Sequence, residues 1–117
     1  AKDNKEIVSL AYLGNIVDAA RGDLKWLLVM REDRTLALNG TAPPLIEWSN
    51  GPHVSQSMPN KGLILLKLTI AAPDADALNA LFKAIDVQDD RLGVEYAAIK
   101  KITATLQLPS GQRIKIG

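Results

Sequence analysis

The only histidine of this 117-residue chain, His53, lies in a segment rich in proline and serine. A serine and a histidine can act as a nucleophile and its base, and Ser49, Ser55 and Ser57 all lie near His53 in sequence. None of them occurs in the G-x-S-x-G pattern that places a nucleophile on a sharp turn. We therefore interpret His53 as a loop residue without a catalytic role, and a small hydrolase is the weakest hypothesis.

Two groups of carboxylates are the remaining candidates for acid-base or metal chemistry. Asp74 and Asp76 fall at the predicted beginning of a helix, where negative charge favours the helix dipole. Asp86, Asp89 and Asp90 lack the spacing of a calcium-binding loop. Cysteine is absent and no glycine-rich phosphate motif occurs, so we expect no cofactor, no metal and no enzymatic activity.

Basic side chains follow one face of two predicted strands. Lys25 and Arg31 alternate with apolar residues in the first strand, Arg34 follows it, and Lys67 and Thr69 share a face of the second. The net charge is only +1, so any contact with nucleic acid requires a local patch of this kind. We predict these five residues as an RNA-binding surface. The alternative is an ordinary solvated sheet face.

The clearest element signal lies in residues 62–85, where the hydrophobic period changes from two to 3.6 at Pro73. The strand part has alternating apolar residues, namely Ile64, Leu66, Leu68 and Ile70. The helical part has apolar residues at helical spacing, namely Leu78, Leu81, Phe82 and Ile85. The pattern predicts a strand that leads into a helix beginning near Pro73 and ending near Val87.

The rest of the chain is predicted to be mainly strand and loop. Its predicted segments are a strand at 6–12 with a looser apolar piece at 16–17, a hairpin of 24–31 with 34–39 around Glu32-Asp33, a turn-rich loop region at 40–61, a helix or strand within 90–101, and a hairpin of 102–108 with 112–116. Trp26 is predicted to pack in the core. Trp48 either packs on its own domain or marks a partner surface.

This order of elements predicts an α+β fold: an antiparallel β-sheet meander with one main helix, in the C-terminal half, packed on one face. A parallel sheet is not expected, because strands and helices do not alternate. At 47% apolar residues the chain fits a single domain over 1–117, and no apolar run is long enough to cross a membrane. Such a thin sheet has open edges, and we expect a homodimer to extend it.

One segment of the chain resembles the last sheet strand and first helix of coat proteins from single-stranded RNA bacteriophages, the leviviruses. It consists of the run Leu65–Ile70, the break at Asp74 to Asp76 and the helical run 78–85. The resemblance implies interlocked homodimers that assemble into an icosahedral shell in the bacterial host cytoplasm. It also implies localisation to the virion, with genomic RNA and an RNA hairpin bound on the inner sheet face.

One departure from that family is the C-terminus, which closes with predicted strands instead of a second helix. The alternative function is a phage tail-tube or bacterial envelope or secretion assembly component that binds no nucleic acid.

Overall fold

The computed structural model describes residues 13–49 and 51–117. The chain divides into two compact units, unit 1 (Ala1–Pro59) and unit 2 (Asn60–Gly117), and each has its own sheet. The elements are β1 (Asn15–Arg21), β2 (Leu24–Met30), β3 (Ile46–Trp48), β4 (Ile64–Ala72), α1 (Ala75–Ala84), β5 (Leu92–Tyr96), β6 (Lys101–Gln107) and β7 (Arg113–Ile116).

The α+β class is therefore confirmed, whereas the expected single sheet is wrong. The single domain over 1–117 and the extension of a sheet by homodimerisation stay predictions. The strand predicted at 6–12 lies outside the described residues. The apolar piece at 16–17 is part of β1.

Unit 1 contains an antiparallel sheet in the order β1-β2-β3. Arg21 pairs with Leu24, so the turn between β1 and β2 consists of Gly22 and Asp23. Gly22 has a φ of 58°, a left-handed conformation that glycine adopts without steric cost and that a two-residue hairpin turn requires.

The hairpin predicted around Glu32-Asp33 is wrong, because local hydrogen bonds fold this segment differently. The amide and hydroxyl of Thr35 both donate to Oδ1 of Asp33, at 2.9 and 2.7 Å. Arg34 has a φ of 62°, and a 3₁₀ turn follows at Ala37–Gly40. Residues 34–39 therefore form no strand, and β2 pairs instead with β1 and β3.

Unit 2 contains a four-stranded sheet in the order β5-β4-β6-β7. β4 and β5 are parallel, contrary to the expectation of an all-antiparallel sheet, and the other pairs are antiparallel. The connection through α1 explains this pairing, since parallel neighbours need a crossover long enough to return to the same end of the sheet. The ambiguous segment 90–101 contains the strand β5.

Helix α1 packs against β4 and β5 and supplies most of the core of unit 2. Leu78 and Leu81 of the predicted stripe are fully buried, and Ile70 and Ala72 of β4 are buried as well. The helix ends at Ala84, earlier than the predicted Val87.

A bulge interrupts β4 at Leu66, where the register with β6 shifts. Leu65 rather than Ile64 consequently pairs with Leu106, and the predicted alternation holds only from Lys67 onwards.

The C-terminal hairpin is confirmed as β6 and β7. The loop region 40–61 contains, as expected, only short elements, β3 and a 3₁₀ turn at Val54–Ser57. No helix within 13–49 or 51–117 is both long and apolar enough to span a membrane.

Candidate functional site

The unit 1 sheet has an apolar face that carries both tryptophans. Trp26 pairs with Trp48 across β2 and β3, and their ring centroids lie 5.1 Å apart. Both side chains are half-buried, so Trp26 is less buried than a core residue. Trp48 packs on its own domain, which is one of the two predicted alternatives.

Beyond the tryptophans, this face borders a cavity of about 550 Å³, the unit 1 pocket. The pocket lies between the sheet and the segment 34–44. Most of its lining is apolar and comprises Leu13, Val17, Leu28, Val29, Met30, Leu36, Ala37, Ala42, Pro43 and Pro44. Its polar lining comprises Arg31, Arg34 and Thr35. Such a volume with a few polar groups is typical of small-molecule sites.

The two arginines of the unit 1 pocket are positioned by a tight turn after β2. The amide of Arg34 donates to the carbonyl of Arg31 at 2.9 Å, which brings both residues to the same pocket. Asp33 lies between them in sequence. The hydroxyl and amide of Thr35 lower the pKa of the Asp33 carboxyl, and the charge of Arg31 lowers it further. The lining of the pocket therefore combines mostly apolar residues with two arginines that lie close together in sequence.

A second cavity in unit 1, of about 720 Å³, is lined by Ile16, Leu27, Val29, Leu45 and neighbouring residues of the sheet. Its one ionisable lining residue is Glu47 at the centre of β3. Within the described part of the chain, its lining contains no cationic side chain that could orient an anionic ligand. We therefore regard the unit 1 pocket as the better candidate site.

The five predicted RNA-binding residues do not share one sheet. Arg31 and Arg34 line the unit 1 pocket, and Lys25 is exposed on β2 outside it. Lys67 and Thr69 lie on β4 in unit 2. The structure thus brings together Arg31 with Arg34 and Lys67 with Thr69, but it places the first pair in unit 1, after β2, and the second pair on β4 of unit 2. RNA contact at the five residues stays a prediction.

Several polar residues beside Lys67 and Thr69 were not predicted as site residues. Thr103 pairs with Thr69, Thr105 pairs with Lys67, and Lys115 pairs with Thr105. The sequence contains a signal for them, since threonines alternate with apolar residues in β6. That β6 pairs with β4 in this register could not be read from the sequence.

His53 forms a local turn with the serine two residues on. The amide of Ser55 donates to Nδ1 of His53 at 3.1 Å, and Oγ of Ser55 lies 2.8 Å from the same nitrogen. These contacts cap the 3₁₀ turn at Val54–Ser57, and the ring also lies edge-on to Trp48 at 6.2 Å between centroids. Both residues are exposed.

Over the described ranges, no three or more His, Cys, Asp or Glu side chains cluster so as to hold a metal ion. The carboxylate group of Asp86, Asp89 and Asp90, which lacks the spacing of a calcium-binding loop, contains an ion pair. Nη2 of Arg91 lies 2.6 Å from Oδ2 of Asp89 at the exposed exit from α1.

Comparison with known proteins corrects the functional interpretation. A family model described as a glyoxalase-like domain matches residues 2–85, which is well over half of the chain and includes the residues of β1 to β4 and α1. Neither a curated protein nor a solved structure matches.

The resemblance to levivirus coat proteins is therefore wrong, and with it the capsid and phage function. The alternative as a tail-tube, envelope or secretion component gains no support either. The strand-to-helix pattern that carried the resemblance is generic, because any amphipathic helix packed on a sheet produces it. Self-association, RNA as a partner and virion localisation stay predictions. The chain belongs to the glyoxalase-like domain family.

Proposed function

We propose that this domain binds a small organic carboxylate with an apolar body in the unit 1 pocket, and that it does so without transforming the ligand. The observation that carries this proposal is the placement of Arg31 and Arg34 together in a cavity whose remaining lining is almost entirely apolar. The membership of the glyoxalase-like family supports a role centred on a small molecule.

The chemistry of the lining defines the class of ligand. A guanidinium presents several N–H groups in a planar fork that matches a carboxylate. Leu28, Met30 and Leu36 offer apolar surface to the rest of the molecule. Burying about 150 Å² of an alkyl chain would contribute roughly 4 kcal/mol at about 25 cal/mol per Å². Charge-assisted hydrogen bonds to the guanidinium groups would add to this gain, and the cost of association would offset part of the sum, so we expect a dissociation constant on the order of 1 mM for a simple ligand.

A binding role rather than catalysis is supported by the local geometry of the other chemistry-bearing residues. His53 and Ser55 are two residues apart and exposed, and their contact closes a short turn. A nucleophile would need its base to be oriented by a third group beside a bound substrate. Within the described residues, neither side chain lines the unit 1 pocket.

The test compares octanoate with octanol by isothermal titration calorimetry. Octanol has the same chain without the charge, so we expect it to bind about tenfold or more weakly than octanoate. Arg34→Asn removes one guanidinium at a left-handed backbone position, which asparagine tolerates better than arginine. We expect that variant to keep its free energy of unfolding and to lose octanoate affinity by about tenfold.

Arg21→Asn is the matched control, because Arg21 ends β1 outside the pocket. Its octanoate affinity should equal that of the wild type. Equal binding of octanol and octanoate, or an Arg34→Asn variant with unchanged affinity, would contradict the proposal.

A further inference from the structure

The sheet face of unit 2 opposite α1 carries a cluster of hydroxyl and ammonium groups, here called the threonine face. Ile70 and Ala72 lie buried on the helix side of β4, so the alternating residues point to the other side. The threonine face comprises Lys67, Thr69, Glu95, Lys101, Thr103, Thr105, Arg113 and Lys115. Glu95 lies in the row of Ala71 and Lys101, next to the row of Gly93, and the four cations outnumber this one carboxylate, so the net charge of the face is positive.

The pairing register arranges these groups in rows across the sheet. Gly93, Thr69 and Thr103 form one row over β5, β4 and β6. Lys67, Thr105 and Lys115 form the next row over β4, β6 and β7. Neighbouring side chains in a row lie about 5 Å apart at Cβ, so the hydroxyls of Thr69 and Thr103 can donate to one tetrahedral anion.

Gly93 leaves a hollow in this face. A Cβ built on Gly93 would lie 3.7 Å from Cε of Lys67 and 3.8 Å from Oγ1 of Thr69. The Lys67 side chain therefore passes Thr69 toward Gly93. These are ordinary contacts, and the φ of Gly93 is not positive, so neither crowding nor backbone conformation requires glycine here. A glycine within a strand often marks close approach of a ligand.

We propose that the hollow at Gly93 binds the phosphate group of a small phosphomonoester, held by the ammonium of Lys67 and the hydroxyls of Thr69 and Thr103. Among the described residues, no carboxylate forms an ion pair with Lys67 or Lys115, so their charge is available to an anion. The threonine face carries no aromatic side chain. Single-stranded nucleic acid is held largely by stacking on such rings, so a small ligand fits this face better than RNA.

The test follows amide chemical shifts of the full chain during titration with glycerol 3-phosphate, with glycerol as the uncharged control. Glycerol 3-phosphate has a short polar body that does not suit the apolar unit 1 pocket. The phosphate site at Gly93 and the proposed carboxylate site are therefore tested separately. We expect saturable shifts at Gly93, Thr69 and Thr103. Glycerol should produce none.

Two variants decide the assignment. Gly93→Ala fills the hollow without backbone strain, so it should keep its stability and weaken binding by about tenfold or more. Lys67→Met should weaken binding to a similar extent, because it removes a charge-assisted hydrogen bond. Lys25→Met is the control, since it removes a strand lysine in unit 1 and should bind like the wild type.

Wild-type affinity in Gly93→Ala, or shifts centred away from the threonine face, would overturn the proposal. A single-stranded RNA that shifts Thr69 and Thr103 while glycerol 3-phosphate does not would also overturn it. That outcome would assign the face to a polymer. Octanoate affinity at the unit 1 pocket should be unchanged in both unit 2 variants.

Discussion

At the scale of single residues, Asp89 shows how an ion pair with a neighbour in sequence favours the charged form of an exposed carboxylate. The side chain and amide of Arg91 both donate to this carboxylate, at 2.6 to 2.9 Å. The side-chain bonds are the larger cause, and together with the amide they lower the pKa of Asp89 to about 2. Any stability that this charge provides is therefore present above the ordinary pKa of 3.8 and is lost as the pH falls through about 2.

We predict that an NMR titration of the Asp89 carboxyl has its midpoint at about 2. Arg91→Met removes the donating guanidinium, so its Asp89 should titrate closer to 3.8. A wild-type midpoint near 3.8 would show that this exposed pair does not form in solution.

Individual site residues were only partly predictable from the sequence. The alternation in β4 correctly placed Lys67 and Thr69 on one face. Arg31 and Arg34 were predicted as site residues because they are cations. Their shared pocket, however, depends on the turn at Asp33 and Thr35, where side-chain hydrogen bonds compete with the backbone bonds of a strand. Gly93 could not be predicted as a site residue, because its position beside Thr69 depends on the parallel pairing of β5 with β4.

At the scale of elements, the C-terminus of α1 ends in a Schellman motif. The amide of Val87 donates to the carbonyl of Phe82 at 2.9 Å, and the amide of Asp86 donates to Lys83 at 3.2 Å. Asp86 occupies the left-handed position of the motif with a φ of 57°, where glycine is strongly preferred. Its negative charge is also unfavourable at a helix C-terminus.

We predict that Asp86→Gly raises the free energy of unfolding by about 1 kcal/mol, measured by urea denaturation. Asp90→Gly is the control. It removes the same charge nearby at a residue without positive φ, so it should leave stability unchanged or lower it. Destabilisation by Asp86→Gly would contradict this description of the helix end.

The sequence predicted elements well wherever the hydrophobic period was long. The strand-to-helix segment and the C-terminal hairpin were identified because their periodicity covers many residues. The prediction of a hairpin at 32–33 was wrong because it joined two short apolar runs across a turn that does not connect paired strands. The actual hairpin turn lies between β1 and β2, where Gly22 supplies the positive φ. The parallel pair was missed because long-range register has no local signal.

At the scale of the whole molecule, the chain is a pair of compact units, each with a sheet of its own. The family match runs from unit 1 through α1 of unit 2, so the matched segment includes residues of both units. Fold class followed from the order of elements. The division into two sheets did not, because a list of strands does not specify which strands pair.

The family could not be predicted from the candidate residues, because the sequence contains no recognisable motif of metal ligation or nucleophilic catalysis. The coat-protein interpretation depended on one strand-helix pattern. The function now proposed depends on a cavity formed by segments distant in sequence, β1, the end of β2 and residues 34–44.

The most direct measurement of that function is a map of backbone amide shifts of the full chain on addition of octanoate. We predict saturable shifts that cluster at Leu28 to Arg31 and at Thr35 to Ala42, the residues around the unit 1 pocket. Absence of saturable shifts there, or a map centred on other residues, would contradict the assignment of the pocket to a small organic carboxylate.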